Sequence, residues 1–201
     1  MAYTDDLQTA LNNRLGKRVH YLPGWRQDWI GPWSKGRPVA LLLHHTAGAA
    51  TDSQNPAAKG NQHGANAGQV RYVNRHPAYK MPCSQFTLDR DGCVYVNAAL
   101  PCYHAGVGSF TGTMWAKLGV PKDRFNSYGA GVEIISKGLS KDYTPAMKES
   151  LALLALAMST AARWTSTGTL YLPRHKDWTD RKVDIKYENA AVQAWIAAAT
   201  K

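Results

Sequence analysis

The sequence lacks most of the features by which several protein classes are recognised. It has three cysteines, Cys83, Cys93 and Cys102, with no CxxC spacing, which excludes a structural zinc site of four cysteines. No apolar run approaches the roughly 20 residues of a membrane-spanning helix, so we expect no membrane insertion. Runs of five or six Lys or Arg residues, which mark nucleic-acid arms, are absent. The His-Glu-x-x-His pattern of many zinc peptidases is absent too.

What is present predicts one globular domain. The chain has 201 residues, of which 44% are hydrophobic and 19% charged, enough apolar material for a core of its own. Seven Trp and ten Tyr stand against three Phe. Trp and Tyr suit grooves that bind sugars or peptides, although most of them are expected in the core. The net charge of +10 favours binding to polyanions. It does not distinguish nucleic acid, anionic lipid and anionic cell wall as the partner.

Two features bear on the compartment. Met1 is followed by Ala-Tyr-Thr-Asp-Asp, which has neither a charged n-region nor an apolar h-region, so we expect no signal peptide and synthesis in a cytoplasm. The cysteine count is odd, so at least one thiol is expected to be free. Cys83 and Cys102 flank a predicted hairpin, which leaves a disulfide between them open, but three reduced thiols are the favoured interpretation.

Hydrophobic periodicity predicts an α/β fold. Asp91-Gly92 lies between two strand-like runs and predicts a hairpin, and Thr144-Pro145 predicts the start of a long helix. The element order predicts a mixed sheet of about five to six strands flanked by helices. We interpret residues 1–36 as an N-terminal extension packed on a domain of residues 37–201. The predicted strands are 39–43, 84–89, 93–97, 131–136 and 169–172, the predicted helices are 5–14, 65–75, 144–164 and 188–200, and residues 105–128 are predicted as a long loop.

Two histidines that follow predicted strands, and one aspartate further along the chain, are side chains that can bind a metal ion. His44 ends the first strand, His175 follows the last, and Asp184 comes nine residues later. Two imidazoles and one carboxylate are a ligand set of hydrolytic zinc sites, with water in the fourth position. Zinc lowers the pKa of that water towards about 7 and so supplies hydroxide at neutral pH. The spacing alone does not establish a metal site, because a histidine at a strand end is more often structural.

Five segments in order resemble a known family. They span about residues 38–187 and are similar to the motifs of the zinc N-acetylmuramoyl-L-alanine amidases, the family that includes the peptidoglycan recognition proteins. The overall pattern is most similar to that of phage endolysins. The segments are Leu42-Leu43-His44-His45-Thr46-Ala47-Gly48, residues 84–92, His104-Ala105-Gly106, Gly131-Val132-Glu133-Ile134 and residues 174–184.

The resemblance implies a ligand set. His44 corresponds to the first zinc ligand, in preference to His45, because the family's ligand is the first residue after the apolar strand. His175 corresponds to the second ligand. Asp184 corresponds to the third, at a position where many relatives have Cys. Zinc is therefore the expected cofactor.

The resemblance also implies catalytic roles. Lys182 matches the family's catalytic lysine, and Glu133 matches the glutamate that acts as general base in the cytoplasmic recycling branch. Some phage relatives use a Tyr on the strand before the Asp-Gly turn, but here that strand begins Ser84-Gln85 and has no Tyr. Glu133 is therefore the predicted base. His104 is predicted to contact substrate near the metal.

The function implied is hydrolysis of the amide bond between N-acetylmuramic acid and the L-alanine of the stem peptide, by a zinc-activated water. The expected partner is bacterial peptidoglycan, and nucleic acid is not expected. A phage endolysin of this kind is made in the host bacterial cytoplasm and reaches the cell wall at lysis. The alternative is a non-catalytic peptidoglycan-binding module of the same fold, and the complete ligand set favours the enzyme.

Overall fold

A single five-stranded mixed sheet organises the molecule. The structure, a computed structural model, describes residues 3–27, 29–47, 66–138, 141–165 and 171–200. The strand order is β1-β4-β3-β5-β2, with β3 and β4 antiparallel and every other neighbouring pair parallel. The strands are β1 (Val19–Tyr21), β2 (Leu41–His45), β3 (Phe86–Leu88), β4 (Val94–Val96) and β5 (Ala130–Ile134).

Helices occupy both ends of the chain and the segments between strands. None of the helices in the described segments is long and apolar enough to cross a membrane. A short 3₁₀ turn, Gly16–Arg18, joins the first helix to β1. The helices are α1 (Tyr3–Leu15), α2 (Ala67–Asn74), α3 (Thr113–Ala116), α4 (Phe125–Tyr128), α5 (Pro145–Ala162), α6 (His175–Trp178) and α7 (Asn189–Ala199).

The main core lies on one face of the sheet, beneath α1, α5 and α7. Leu41 and Leu43 of β2 point into this core and are fully buried, and each contributes about 1.5–3 kcal/mol relative to an exposed side chain. The helix α5 begins where predicted, because the Thr144 hydroxyl accepts a hydrogen bond from the Met147 N–H at 3.1 Å. It ends at Ala162, and the C-cap residue Arg163 adopts a left-handed conformation with φ 59°.

The opposite face of the sheet carries a second, smaller cluster in which Leu42 packs with Phe125 and Trp178. Side chains alternate between the two faces along a strand. His44, two residues beyond Leu42, therefore shares this second face. In β5 the same alternation places Glu133 on the second face, because Val132 and Ile134 enter the main core. His44 and Glu133, two of the predicted site residues, therefore lie on the same face of the sheet.

The predicted mixed sheet flanked by helices is confirmed, and the hairpin at Asp91-Gly92 joins β3 to β4. Two details of the prediction are wrong. The strand β1 lies within residues 1–36, where only the helix 5–14 was predicted, and residues 105–128 contain α3 and α4 instead of only loop. Residues 169 and 170 of the predicted strand 169–172 lie outside the described residues, and Tyr171 and Leu172 are not part of a strand.

No disulfide joins the three cysteines, all of which the structure describes, in agreement with the favoured interpretation of reduced thiols. Cys102 is buried and the other two are half-buried. The boundary at residue 36 stays a prediction. The helix α1 packs against α5, and β1 pairs with β4, so the N-terminal residues contribute to the same core and the same sheet.

Candidate active site

Two histidines and one aspartate converge on the second face of the sheet. The Nδ1 atoms of His44 and His175 are 2.9 Å apart, and His175 Nδ1 lies 3.1 Å from Asp184 Oδ2. His44 Nδ1 lies 3.8 Å from the same oxygen. All three side chains are buried, and they are the residues that could hold a metal ion in the part of the chain that the structure describes.

Local structure brings the three residues together. His44 is the fourth residue of β2, and Arg174 forms a parallel bridge to Leu43 in the same strand, so His175 follows at the edge of the sheet beside it. The Asp177 carboxylate caps the start of α6, because its Oδ2 accepts a hydrogen bond from the Arg174 N–H at 2.8 Å. The Lys176 N–H then donates to the Asp184 backbone oxygen at 2.9 Å, which folds the chain back and presents Asp184 to His175.

The donor set fits a zinc ion. His175 Nε2 lies 3.2 Å from the Ala105 carbonyl oxygen, which can only accept a hydrogen bond, so Nε2 carries the proton and Nδ1 of the neutral ring keeps its lone pair. The three donor–donor distances bracket the roughly 3.3–3.4 Å edge of a tetrahedron with zinc bonds of about 2.0–2.1 Å. His44, His175 and Asp184 are thus arranged as ligands would be. His45 lies outside the cluster, against Gly138.

The electrostatics of the cluster favour the protonation states that a metal requires. Burial lowers the pKa of His44 well below its usual value, and the neighbouring His175 and His104 lower it further. Burial raises the pKa of Asp184, but the hydrogen bond with His175 and the electrostatic effects of His175 and His45 outweigh it, and the net shift is downward. A neutral imidazole and an ionised carboxylate are the forms that bind metal.

Glu133 stands beside the cluster. It is the register partner of His44 in the parallel pair β2–β5, so the two side chains are neighbours on the second face. Its Oε2 atom is buried and has no hydrogen-bond partner among the described residues. Burial raises the pKa of Glu133 to about 8, the Asp184 charge adds to the rise, and Lys182 partly opposes it. A carboxyl with this pKa can exchange a proton near neutral pH.

Lys182 lies at the exposed rim of the same site. Its backbone N–H donates to the Thr179 oxygen at 3.3 Å in the turn that follows α6. Its positive charge lowers the pKa of both His44 and Glu133, so the ammonium group lies within electrostatic range of both. The structure therefore places Lys182 near the cluster but not in it.

His104 contacts the cluster instead of standing apart from it. Its Nδ1 lies 3.1 Å from His44 Nε2, and its Nε2 lies 2.9 Å from the Gly129 carbonyl oxygen. Burial lowers the pKa of His104 to about 3, with the Gly129 carbonyl acting in the opposite direction. The predicted contact with substrate stays a prediction, but both ring nitrogens already have protein partners.

An open cleft of about 630 Å³ contains all six candidates. Sequence reasoning missed an aromatic wall along it, which consists of Tyr72, His76, Tyr79 and Tyr103. The three tyrosines are exposed, and the His76 and Tyr79 rings stack with centroids 4.6 Å apart. The spacing of Tyr72, His76 and Tyr79, four and three residues apart, is the signal that would have revealed most of it. The cleft also exposes the basic side chains of Arg181 and Lys182.

Sequence reasoning also missed the residue that holds the His104 loop. Asn126 Oδ1 accepts hydrogen bonds from the backbone N–H groups of His104 and Ala105, at 2.9 and 2.8 Å. This amide keeps the His104 ring and the Ala105 carbonyl in contact with the two histidines of the cluster. Nothing in the local pattern around Asn126 distinguishes it from other loop asparagines, so no sequence signal was available.

Taken together, a mixed sheet with two histidines and a carboxylate beside a buried glutamate forms a site of the kind that metal-dependent hydrolases use. The family model described as N-acetylmuramoyl-L-alanine amidase matches residues 34–186, and the chain belongs to this family. It is therefore a member of a family of enzymes that act on bacterial peptidoglycan. No curated protein matches the sequence.

Solved structures share the fold at low sequence identity. A selenomethionine derivative of AmpD is 20% identical, with a TM-score of 0.55, and the match covers 89% of this chain and 94% of that one. The endolysin of Thermus scotoductus bacteriophage Ph2119 is 16% identical, with a TM-score of 0.52, and the match covers 89% and 98%. The endolysin amidase LysCS from Clostridium intestinale is 16% identical, with a TM-score of 0.50, and the match covers 89% and 95%.

Proposed function

We propose that this protein is a zinc-dependent N-acetylmuramoyl-L-alanine amidase that cleaves the bond between the sugar strand and the stem peptide. The observation that carries the proposal is the convergence of His44 Nδ1, His175 Nδ1 and Asp184 Oδ2 in a cleft beside the raised-pKa carboxyl of Glu133. The family match supplies the substrate class. When bound there, zinc supplies a Lewis acid that makes water nucleophilic at neutral pH.

Glu133 moves the protons of the reaction. Its ionised carboxylate removes a proton from the water that attacks the lactyl-amide carbonyl. The protonated carboxyl then delivers a proton to the leaving nitrogen of L-alanine. Burial supports both halves of this role, because it raises the pKa of Glu133 into the range where gain and loss of a proton are both accessible. The free Oε2 atom is available for these transfers.

Lys182 stabilises the oxygen that becomes negative during the attack. Lys182 is exposed at the rim, and its positive charge acts on both His44 and Glu133, the proposed ligand and the proposed base. A positive charge held there favours the tetrahedral oxyanion over the neutral substrate. Lys182 therefore acts on the substrate and leaves metal binding to the three ligands.

The cleft suits a polymer that has sugar rings and carboxylates. The Tyr72, Tyr79 and Tyr103 rings offer apolar faces with polar edges to saccharide units. Arg181 and Lys182 offer positive charge to the carboxylates of the stem peptide. A cleft of about 630 Å³ is large enough for a segment of that size. The net charge of +10 draws the whole protein towards an anionic wall.

We further propose that the protein is a phage endolysin, made in the host bacterial cytoplasm and active on the wall after lysis begins. The sequence pattern supports this, as do the two similar structures that bear the name endolysin. Cells that express the protein should stay intact until their membrane is permeabilised, and should then lyse. Lysis without permeabilisation would contradict the proposed route.

Mass spectrometry of digested peptidoglycan tests the reaction. The expected products are stem peptides with free L-alanine amino termini and sugar strands that keep the lactyl group. New peptide termini inside the stem, or new reducing sugar ends, would contradict the proposal. Binding to the wall without any product would support the alternative of a non-catalytic binding module.

A further inference from the structure

A chain of hydrogen bonds connects the backbone carbonyl of Gly129, the residue just before β5, through His104 to the Nε2 atom of His44. The Gly129 oxygen lies 2.9 Å from His104 Nε2, and His104 Nδ1 lies 3.1 Å from His44 Nε2. The other nitrogen of His44, Nδ1, faces His175 and Asp184. Both rings are therefore engaged through both of their nitrogens.

The Gly129 carbonyl determines which atoms donate and which accept along this chain of hydrogen bonds. A carbonyl oxygen only accepts hydrogen bonds, so His104 Nε2 carries a proton. The other nitrogen of the neutral His104 ring then has a lone pair, and it accepts a hydrogen bond only if His44 Nε2 carries a proton. His44 in its neutral form keeps one proton, so its Nδ1 has a free lone pair. That lone pair is the one aimed at the cluster.

We propose that His104 is a positioning residue that holds His44 in the Nε2–H tautomer and so prepares its Nδ1 for the metal. The inference rests on the proposed zinc function and deepens it. Ligand histidines generally donate their second N–H to a carboxylate, carbonyl or water. Here the His104 imidazole is the acceptor for His44 Nε2–H. The Gly129 carbonyl fixes the tautomer of His104, because it accepts a hydrogen bond from His104 Nε2–H.

The surroundings keep the His104 ring in this position. A Cβ atom at Gly131 would lie 2.5 Å from His104 Nδ1 and 2.9 Å from its Cγ, closer than side chains tolerate, so the absence of a side chain there makes room for the ring. Phe125 contacts the ring edge to face, with centroids 5.7 Å apart. Asn126 holds the His104 backbone N–H at 2.9 Å. Gly131 is therefore required at this position because a side chain there would collide with the His104 ring.

Two substitutions at His104 separate the proposed role from bulk packing. His104→Asn places an amide oxygen near the position of Nδ1, so it keeps an acceptor for His44 Nε2–H. His104→Phe keeps a ring but removes the acceptor. His76→Phe is the matched control, because His76 lines the same cleft but contacts Tyr72 and Tyr79, not the cluster. Thermal unfolding of each variant checks that it is folded.

The measurements are zinc affinity, by competition with a chelator of known affinity, and the His44 tautomer in the metal-free protein, by long-range ¹H–¹⁵N NMR. We expect the wild type to show His44 protonated at Nε2. His104→Phe should mix the tautomers and weaken zinc binding by about 10–100-fold, the usual effect of losing such a partner. His104→Asn should stay within a few-fold of the wild type, and His76→Phe should match it.

Two results would overturn the proposal. One is an Nδ1–H tautomer for His44 in the wild type. The other is a His104→Phe variant with wild-type zinc affinity and a raised KM, which would make His104 a substrate contact. Failure of the proposed function is distinguishable, because the wild type itself would then bind no zinc or release no stem peptide.

Gly131→Ala tests the same role without changing either histidine. The added methyl group has to displace the His104 ring, so zinc binding should weaken as in His104→Phe, with the same mixed His44 tautomer. A folded Gly131→Ala protein with unchanged zinc affinity and tautomer would contradict the proposal.

Discussion

Replacing Glu133 with Gln should stabilise the metal-free protein, and increasingly so as the pH rises. Burial raises the pKa of the Glu133 carboxyl to about 8, with the negative charge of Asp184 adding to the rise, against a usual value of 4.5. Between pH 4.5 and about 8, the Glu133 carboxyl is therefore protonated in the folded state and ionised in the unfolded chain. Wild-type stability is lost through this window as the pH rises, whereas Gln has no proton to lose.

The magnitude follows from the same pKa difference. One pKa unit corresponds to about 1.4 kcal/mol, so the advantage of Glu133→Gln over the wild type should be near zero at pH 4 and up to about 3 kcal/mol at pH 7. It should level off above pH 8. The same substitution removes the proposed base, so stability and activity should change in opposite directions.

The assay is urea unfolding after removal of zinc by dialysis, followed by Trp fluorescence at several pH values between 5 and 8. Glu188→Gln is the control, because the hydrogen bond from Arg174 lowers the pKa of Glu188 and its effect has the opposite sign. A free-energy difference between Glu133→Gln and wild type that stays constant from pH 5 to pH 8 would refute the reasoning.

Further predictions concern the division of roles and the charge of the protein. Glu133→Ala should keep zinc and lose turnover by roughly 10²–10⁴-fold, the range for a general base, and near-normal activity would exclude it as the base. Lys182→Ala should also keep zinc and lose roughly 10²–10³-fold, like the loss of an oxyanion donor, and loss of zinc would make it a ligand. Asp184→Ala should lose the metal itself, measured as zinc content. Wall binding should weaken steeply with salt, because exposed charges are screened over about 8–10 Å, and salt-independent binding would point to a specific groove.

The elements that sequence predicted well are those whose signals are local. The apolar run that ends at His44 and the Thr144-Pro145 start of α5 each carry their structural cause within a few residues. The strand β1 was missed because it has three half-buried residues and exists through pairing with β4, more than 70 residues away in the chain. Short elements of this kind depend on tertiary contacts, which periodicity does not record.

The candidate site divides in the same way. The chemical type of His44, His175 and Asp184 and their positions in the family motifs pointed to them in the sequence, and the structure brings the three together. Their hydrogen-bond partners could not be predicted, because the Ala105 and Gly129 oxygens are backbone atoms, which every residue carries. Their involvement depends on where the loop after Cys102 lies against the sheet, and only the fold determines that.

Zinc content measured together with activity tests the central claim most directly. The purified protein should contain one zinc ion per chain, held by His44, His175 and Asp184. Chelation should remove the ion and the wall-clearing activity together, and added zinc should restore both. A metal-free protein that clears peptidoglycan at the full rate would contradict the account.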